Sequence, residues 1–440
     1  MTLLDTPASV GAPTIKAKVA WPAAVGAAGL AWYAADSLRH RRDGGHGYEL
    51  RGDVRVGDPS FLYAAEALTA APVSTGNTAR LLINGDQIFP AYLGAIRGAT
   101  ETVNLLTYAY WRGDIAVEVA DALCERTQAG VECNVLVDAV GAARMEKELV
   151  RRMEDAGVTV SRFRPPKPYA LRRVTNRTHR KLLIVDGRLG FTGGVGIAEE
   201  WTGNAEDPDH WRDTHVEVEG PVVRGLQGAF AENWLEATGR VLAGERYLPD
   251  LEPREGEGAP MQVMRSSAGV GDTNAEALYF LAVSAAAETV DLTSAYFAPR
   301  PAFTRALTEA ANRGVKLRLL VPGPHIDKEL VRTAGRASYG ELLEAGVQIF
   351  EYQPTMLHAK TLVVDGVWAS VGSINFDNRS FGLNDEATLC VQSKRFAGEL
   401  EEAFQTDLDH SKEIDAERWR KRSPWLRSRE AASRLVRREL

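Results

Sequence analysis

Two short stretches of this chain carry side chains that could do phosphate chemistry. In MLHAKTLVVDGVWASVGSINFDNRSF, Met356 to Phe381, His358 and Lys360 stand two apart just before an apolar run, Thr361 to Val364, so on a strand both point to one face. Asp365 and Gly366 then turn the chain, Val367 to Val371 can form a return strand, and Gly372, Ser373 and Asn375 put small and amide groups where it ends. Taken alone, a histidine and a lysine at this spacing also describe an exposed strand edge with a solvated ammonium. The stretch THRKLLIVDGRLGFTGGVG, Thr178 to Gly196, changes the weight of the two readings. His179, Lys181, Asp186 and Gly193 have His358, Lys360, Asp365 and Gly372 as counterparts, each 179 positions further on. Chance does not keep a four-point register.

The chemistry that two imidazoles and two ammonium groups can do together is displacement at a phosphodiester. Such an anion repels nucleophiles, so a site working without a metal must neutralise charge, supply a nucleophile and protonate the leaving alkoxide. One neutral imidazole can attack phosphorus and split a hard displacement into two easier ones. The other can give a proton to the leaving oxygen and later take one from the acceptor. Lys181 and Lys360, charged at neutral pH, can clamp the nonbridging oxygens. Spacing does not say which histidine plays which part. His210, His215, His325 and His410 have no repeated counterpart and read as ordinary.

The elements that must position these groups repeat as well. Thr100 to Tyr110, TETVNLLTYAY, answers Ala287 to Phe297, AETVDLTSAYF; Gly130 to Val137 answers Gly314 to Val321, and Asp155 to Val158 answers Glu344 to Val347. Each copy reads as strand, helix, strand, helix, strand and then the histidine hairpin, the alternation of an α/β layered fold. The expectation is a duplicated fold with two pseudo-symmetric α/β sandwich halves and the active site at their interface.

The pattern HxK, four residues, Asp, six residues, GSxN, complete in the second copy, resembles that of the phospholipase D superfamily, over about residues 80 to 410. Within it, AYFAP at Ala295 to Pro299, RGVKLRLLVPG at Arg313 to Gly323, and MLHAKTLVVDG through GSINFDNRSFGLNDE are most similar to bacterial cardiolipin synthases. The resemblance implies a cofactor-free, metal-free, two-step phosphatidyl transfer through a phosphohistidine: two phosphatidylglycerols giving cardiolipin and glycerol, with His179 as nucleophile and His358 as general acid/base. It places Lys181, Lys360, Ser373 and Asn375 on the substrate phosphate, and counts Asp186 and Asp365 with the catalytic motif, although their position at hairpin turns suits a structural task. Glu386, in LNDE downstream of His358, resembles the superfamily's orienting acid, and Asp213, in WRDTH, looks like the corresponding partner of His179. One departure stands out: Gly196 lies where the pattern has Asn, so the halves are not equivalent. Other readings stay open: a hydrolase or another transphosphatidylase, a nuclease, or a non-catalytic scaffold that kept the fold.

A net charge of −7 argues against a general nucleic-acid coat, since phosphate backbones reward excess positive charge. Cys124, Cys133 and Cys390 have no metal-ligand spacing and read as core thiols in a reducing compartment. Residues 1–45 read as a flexible N-terminus in which 19–35, uncharged and flanked by Lys16, Lys18, Arg39, Arg41 and Arg42, is a candidate membrane anchor that would leave the catalytic domain on the cytoplasmic side of the cell membrane. A cleaved signal and a buried helix are the alternatives for that segment. The further reading is a linker over 46–79, repeat one over 80–240, a linker over 241–260, repeat two over 261–410 and a basic tail over 411–440, either lying on an anionic membrane or packed on the domain. An acid-free stretch before the first motif carries Arg162, Arg164, Lys167, Arg172, Arg173 and Arg177, placed to meet anionic headgroups.

Overall fold

The computed structural model describes residues 48–166, 175–253, 256, 258–268 and 273–423. The candidate anchor at 19–35, the basic residues Lys167, Arg172 and Arg173, and the tail beyond 423 lie outside them.

The strands show the duplication most directly. Repeat one contributes β1 (Ser74–Ile83), β2 (Thr102–Thr107), β3 (Glu132–Asp138), β4 (Thr159–Phe163), β6 (Leu182–Val185), β7 (Leu189–Gly193) and β8 (Thr214–Glu219). Repeat two contributes β9 (Ala259–Ser266), β10 (Thr289–Ser294), β12 (Lys316–Pro322), β13 (Gln348–Tyr352), β14 (Lys360–Val364), β15 (Trp368–Gly372) and β17 (Asn384–Gln392). Their spatial order is β13-β12-β10-β14-β15-β17-β9 followed by β1-β8-β7-β6-β2-β3-β4. Read outward from the β9–β1 junction, the two halves follow the same order, as a pseudo-two-fold requires. In each half three parallel strands join an antiparallel group that carries the histidine hairpin.

Three layers of apolar side chains hold this together. On repeat one, α2 (Asn84–Gly98), α3 (Asp114–Gln128) and α4 (Lys147–Asp155) bury Ile88, Tyr92, Val119, Leu123 and Met153 against Val103, Leu105 and Val135. On repeat two, α6 (Asn274–Ser284), α7 (Pro301–Asn312) and α9 (Tyr339–Glu344) bury Leu278, Phe303, Leu307 and Leu342 against Val290, Leu292 and Leu319. Between the halves, α5 (Val223–Thr238) and α11 (Lys394–Asp409) insert Phe230, Trp234, Phe396 and Leu400 among Leu182, Ile184, Val363, Val371 and Leu389, which come from both sheets. Strands covered on both faces read as unbroken apolar runs, which is why LLIV and TLVV carry no polar alternation.

Two flanking segments are integral to this body. Within 46–79, α1 (Pro59–Thr69) drops Phe61 and Ala65 into the core of repeat two, Phe61 meeting Trp368 edge-on at 5.7 Å, before β1 opens repeat one. In the tail, β18 (Ser411–Glu413) pairs with β13, and α12 (Ala416–Arg420) lays Trp419 against Tyr339, ring centroids 5.2 Å apart. Among the described residues no helix is long and apolar enough to cross a membrane.

Candidate active site

Each histidine hairpin is closed by an Asp-Gly turn. Asp186 and Gly187, and likewise Asp365 and Gly366, all have positive φ, and the turns bond Arg188 N–H to Val185 O and Val367 N–H to Val364 O. That is the turn a twisted two-strand hairpin selects, with glycine where an ordinary residue is strained. The Asp186 carboxylate accepts the backbone N–H groups of Thr100, Glu101 and Thr102, and Asp365 accepts those of Ala287, Glu288 and Thr289. These acids tie the hairpin to the start of β2 and of β10, a full strand length from the histidines. The expectation that counts them as catalytic is therefore corrected: their chemistry is turn closure.

At the other end of β6 and β14 the two halves lock together. His179 donates its backbone N–H to Asp385 O at 2.8 Å, and Arg177–Thr178 (β5) pairs with Asn384–Asp385 of β17. The mirror contact runs from His358 N–H to Arg212 O at 2.7 Å, with a bridge between Arg212 and Leu357. Each histidine is thereby set beside the strand start that carries the other repeat's acid.

The consequence is a crossed pairing. His179 Nδ1 lies 3.1 Å from both carboxylate oxygens of Glu386 and 3.0 Å from Ser373 O, while His358 Nδ1 lies 2.7 Å from Asp213 Oδ2. Pairing Asp213 with His179 and Glu386 with His358 is thus corrected: each acid follows its own repeat's histidine in sequence but crosses the interface to the other one. A carboxylate can only accept, so both Nδ1 atoms carry hydrogen and both Nε2 atoms are left for chemistry. Ser373 is occupied as well; its hydroxyl donates to Glu386 Oε2 at 2.5 Å, which makes it a holder of the carboxylate rather than of the substrate. Asn375 accepts the Tyr296 N–H through Oδ1 at 3.3 Å, leaving its NH2 as the end that can donate to phosphate.

The lysines complete the symmetry. Lys181 Nζ donates to His179 O at 2.8 Å, and Lys360 Nζ donates to His358 O. Both are buried, and burial lowers them, Lys181 to about 7 with the Lys360 charge adding to the shift, and Lys360 to about 8 with Asp213 and Glu386 pulling the other way. Lowered in this way, both lysines give up a proton more readily than a surface ammonium does. Burial also holds the imidazoles neutral, His179 down to about 4 and His358 to about 3, with Glu386 and Asp213 pulling the other way. For both acids burial alone would raise the carboxyl, but the paired histidine, the nearby lysine and the hydrogen bond from Thr214 or Ser373 together outweigh it, and Asp213 and Glu386 lie below the usual carboxylate range.

Aromatic rings line it. Trp201 and Trp211 contact His358, with centroids 5.3 and 5.5 Å away, Tyr296 stands 6.2 Å off on another side, and Tyr108 meets His179 at 5.2 Å. Trp201 and Trp211 carry no motif signal and were not legible as site residues. His215 binds Tyr92 Oη through Nε2 at 2.7 Å and His210 pairs with Asp207, in keeping with ordinary roles. Two of the basic residues expected to face headgroups are committed internally: Arg177 is buried on Asp138 at 2.9 Å, and Arg164 makes a forked pair with Glu236. The three cysteines are buried free thiols.

A duplicated α/β fold whose halves each lend a histidine, a lysine and the other's carboxylate to one buried site defines a two-histidine enzyme for phosphodiester chemistry. Comparison with known proteins makes this specific. The family model described as "Cardiolipin synthase, PLD-like domain" matches residues 92–221 and 281–408. A cardiolipin synthase of Geobacillus sp. (strain WCH70) is 34% identical over 381 residues, covering 86% of this chain and 75% of that protein. Cardiolipin synthase A of Pseudomonas fluorescens is 36% identical over 357 residues, 81% of this chain and 74% of that one. In fold, the chain is similar to the phosphatidylserine synthase of Haemophilus influenzae Rd KW20, with TM-score 0.65 and 12% identity over 86% of this chain and 99% of that one. The chain belongs to the cardiolipin synthase family of phospholipase D-like enzymes, as a phosphatidyltransferase of the cardiolipin synthase type.

Proposed function

We propose that this enzyme joins two phosphatidylglycerol molecules into cardiolipin, releasing glycerol, at the cytoplasmic face of the cell membrane. The observation that carries the reading is the crossed pair of His–carboxylate contacts, which leaves two imidazole Nε2 atoms free beside two lysines. His179 Nε2 attacks phosphorus and the P–O bond to the glycerol headgroup breaks, its oxygen taking the proton from His358. The terminal hydroxyl of a second phosphatidylglycerol then gives its proton to His358 and attacks, and the P–N bond breaks. Lys181, Lys360 and the Asn375 amide hold the nonbridging oxygens, where charge grows in the transition state.

The entering diester brings a further negative charge beside the lysines and histidines. It raises the lysines and His358 back toward their ordinary values, so the proton needed by the leaving glycerol is held only when substrate is bound. Trp201 and Trp211 keep the phosphoenzyme beside His358 in an apolar setting, which disfavours water against an alcohol carried in on a lipid. The test is mass spectrometry of lipid products when the purified enzyme, with chelator present, meets phosphatidylglycerol vesicles. Cardiolipin and glycerol from the wild type and none from His179→Ala is the expected result. Phosphatidic acid would make the enzyme a hydrolase, and no product would return the nuclease and scaffold readings.

A further inference from the structure

The pseudo-two-fold pairs Gly194 with Ser373, Gly196 with Asn375 and Asp213 with Glu386. In repeat two both motif side chains are used, the Ser373 hydroxyl on Glu386 and the Asn375 amide beside Tyr296. In repeat one both are missing, and the space is closed to them. A Cβ at Gly194 would collide with the Asp213 carboxylate, and one at Gly196 would lie 2.9 Å from Ala109 Cβ and 3.0 Å from Trp201 Cζ3. The space at 194 is taken by Asp213 itself, and that at 196 is closed by Ala109 and by Trp201, the last residue of the turn Glu199–Trp201, 3% exposed. Its indole N–H donates to Asp213 Oδ2 at 2.9 Å, the same oxygen that takes His358 Nδ1 at 2.7 Å. Thr214 N–H holds Oδ1 at 2.8 Å, and the Trp201 ring stands edge-on to the His358 ring.

We propose that Trp201 is a positioning residue that supplies, from outside the motif, the hydrogen bond lost with the side chains at 194 and 196, fixing Asp213 and through it the His358 imidazole. The pseudo-symmetry argues against a mere space filler. The carboxylate of repeat two receives a hydroxyl proton where that of repeat one receives an indole proton, so both acids are anchored by a side-chain donor besides their histidine. An apolar ring of equal volume would fill the gap but leave Oδ2 tied to His358 alone.

The decisive substitution is site-specific 3-benzothienylalanine at 201, which keeps the bicyclic shape and removes only the N–H; Trp201→Phe is the genetically simple companion. Losing one donor to an ionised, buried acceptor lowers kcat about 10-fold with KM unchanged. With its carboxylate freed, His358 becomes more basic, so the alkaline limb of the kcat profile, set by loss of the His358 proton and read on a phosphodiester substrate, moves to higher pH. Ser373→Ala, the mirror variant, acts on the limb of His179 instead. A benzothienyl enzyme with wild-type kcat and pH profile overturns the proposal and leaves Trp201 as packing. The inference rests on the two-histidine reading, so it has a readout free of turnover: the Trp201 indole proton, identified in NMR spectra by its absence from Trp201→Phe. A downfield, exchange-protected signal that shifts in Asp213→Asn supports the proposal even if no substrate turns over, and a signal indifferent to Asp213→Asn refutes it.

Discussion

At the scale of single residues, the crossed pairing makes a prediction that sequence order would reverse. Asp213→Asn should reproduce the kinetic signature of His358→Ala, and Glu386→Gln that of His179→Ala, each with kcat lower by at least about 10²-fold. A substrate with a good leaving group, such as a nitrophenyl phosphodiester, separates the pairs, because it needs no general acid to depart. Phosphoenzyme formation from it should recover in His358→Ala and Asp213→Asn and stay lost in His179→Ala and Glu386→Gln; recovery in Glu386→Gln would uncross the pairs. The lysines make a second prediction through linkage. Burial lowers Lys181 to about 7 in the folded protein, against an ordinary value of 10.5 in the unfolded chain. Between those values the unfolded chain binds more protons, so stability contributed by this group rises with pH. Measured by urea unfolding, wild type should therefore gain on Lys181→Met as pH goes from 7 to 10, and a difference independent of pH would show that the ammonium is not held at a lowered value. The histidines, lysines and acids themselves were legible from types and a repeated spacing. Who holds whom was not, since Glu386 and Asp213 meet their histidines 207 and 145 positions away across an interface that no local pattern encodes.

At the scale of elements, the histidine hairpins were readable because apolar runs, Asp-Gly turns and small residues all agree on one local structure. The task of the turn aspartates was readable for the same reason: a residue at the tip of a short hairpin is a strand length away from its base. Asp186→Ala should leave kcat within a few-fold of wild type while destabilising the fold by about 1–3 kcal/mol, because three backbone N–H groups lose their acceptor. Asp365→Ala, with the same three-fold cradle, should match it, and a loss of kcat without loss of stability in either variant would restore the catalytic reading. What the sequence conceals at this scale is occupancy. Arg164 and Arg177 look like a surface charge run, yet acids from β3 and α5 take up both, and the distance from Arg177 to Asp138 in the chain leaves no periodicity to detect. Trp201 is hidden in the same way, one aromatic among several, given its meaning only by glycines that vacate a neighbouring volume.

For the whole molecule, duplication explains why the chain needs both halves to make one site. Neither repeat holds a complete histidine with its carboxylate: repeat one owns His179 and Asp213, repeat two His358 and Glu386, and the contacts that matter all run between them. The halves are also continuous as structure. β1 pairs with β9, β5 with β17, and one apolar layer built from both sheets and from α5 and α11 lies at the joint. The covalent connection between them contributes little by comparison, for Glu252 and Pro253 are exposed and lie outside any strand or helix. Cutting the folded protein at a protease site introduced after Glu252 should therefore leave a single species on gel filtration that keeps most of its activity, since the buried interface far outweighs one surface peptide bond. Residues 259–423 produced alone should have no phosphodiester activity, because His358 then lacks Asp213 and Glu386 has no histidine to orient. Turnover by that isolated half would mean that two copies of it can rebuild the site as a symmetric pair, and the difference between Asp213 with its tryptophan and Glu386 with its serine would then be dispensable to the chemistry.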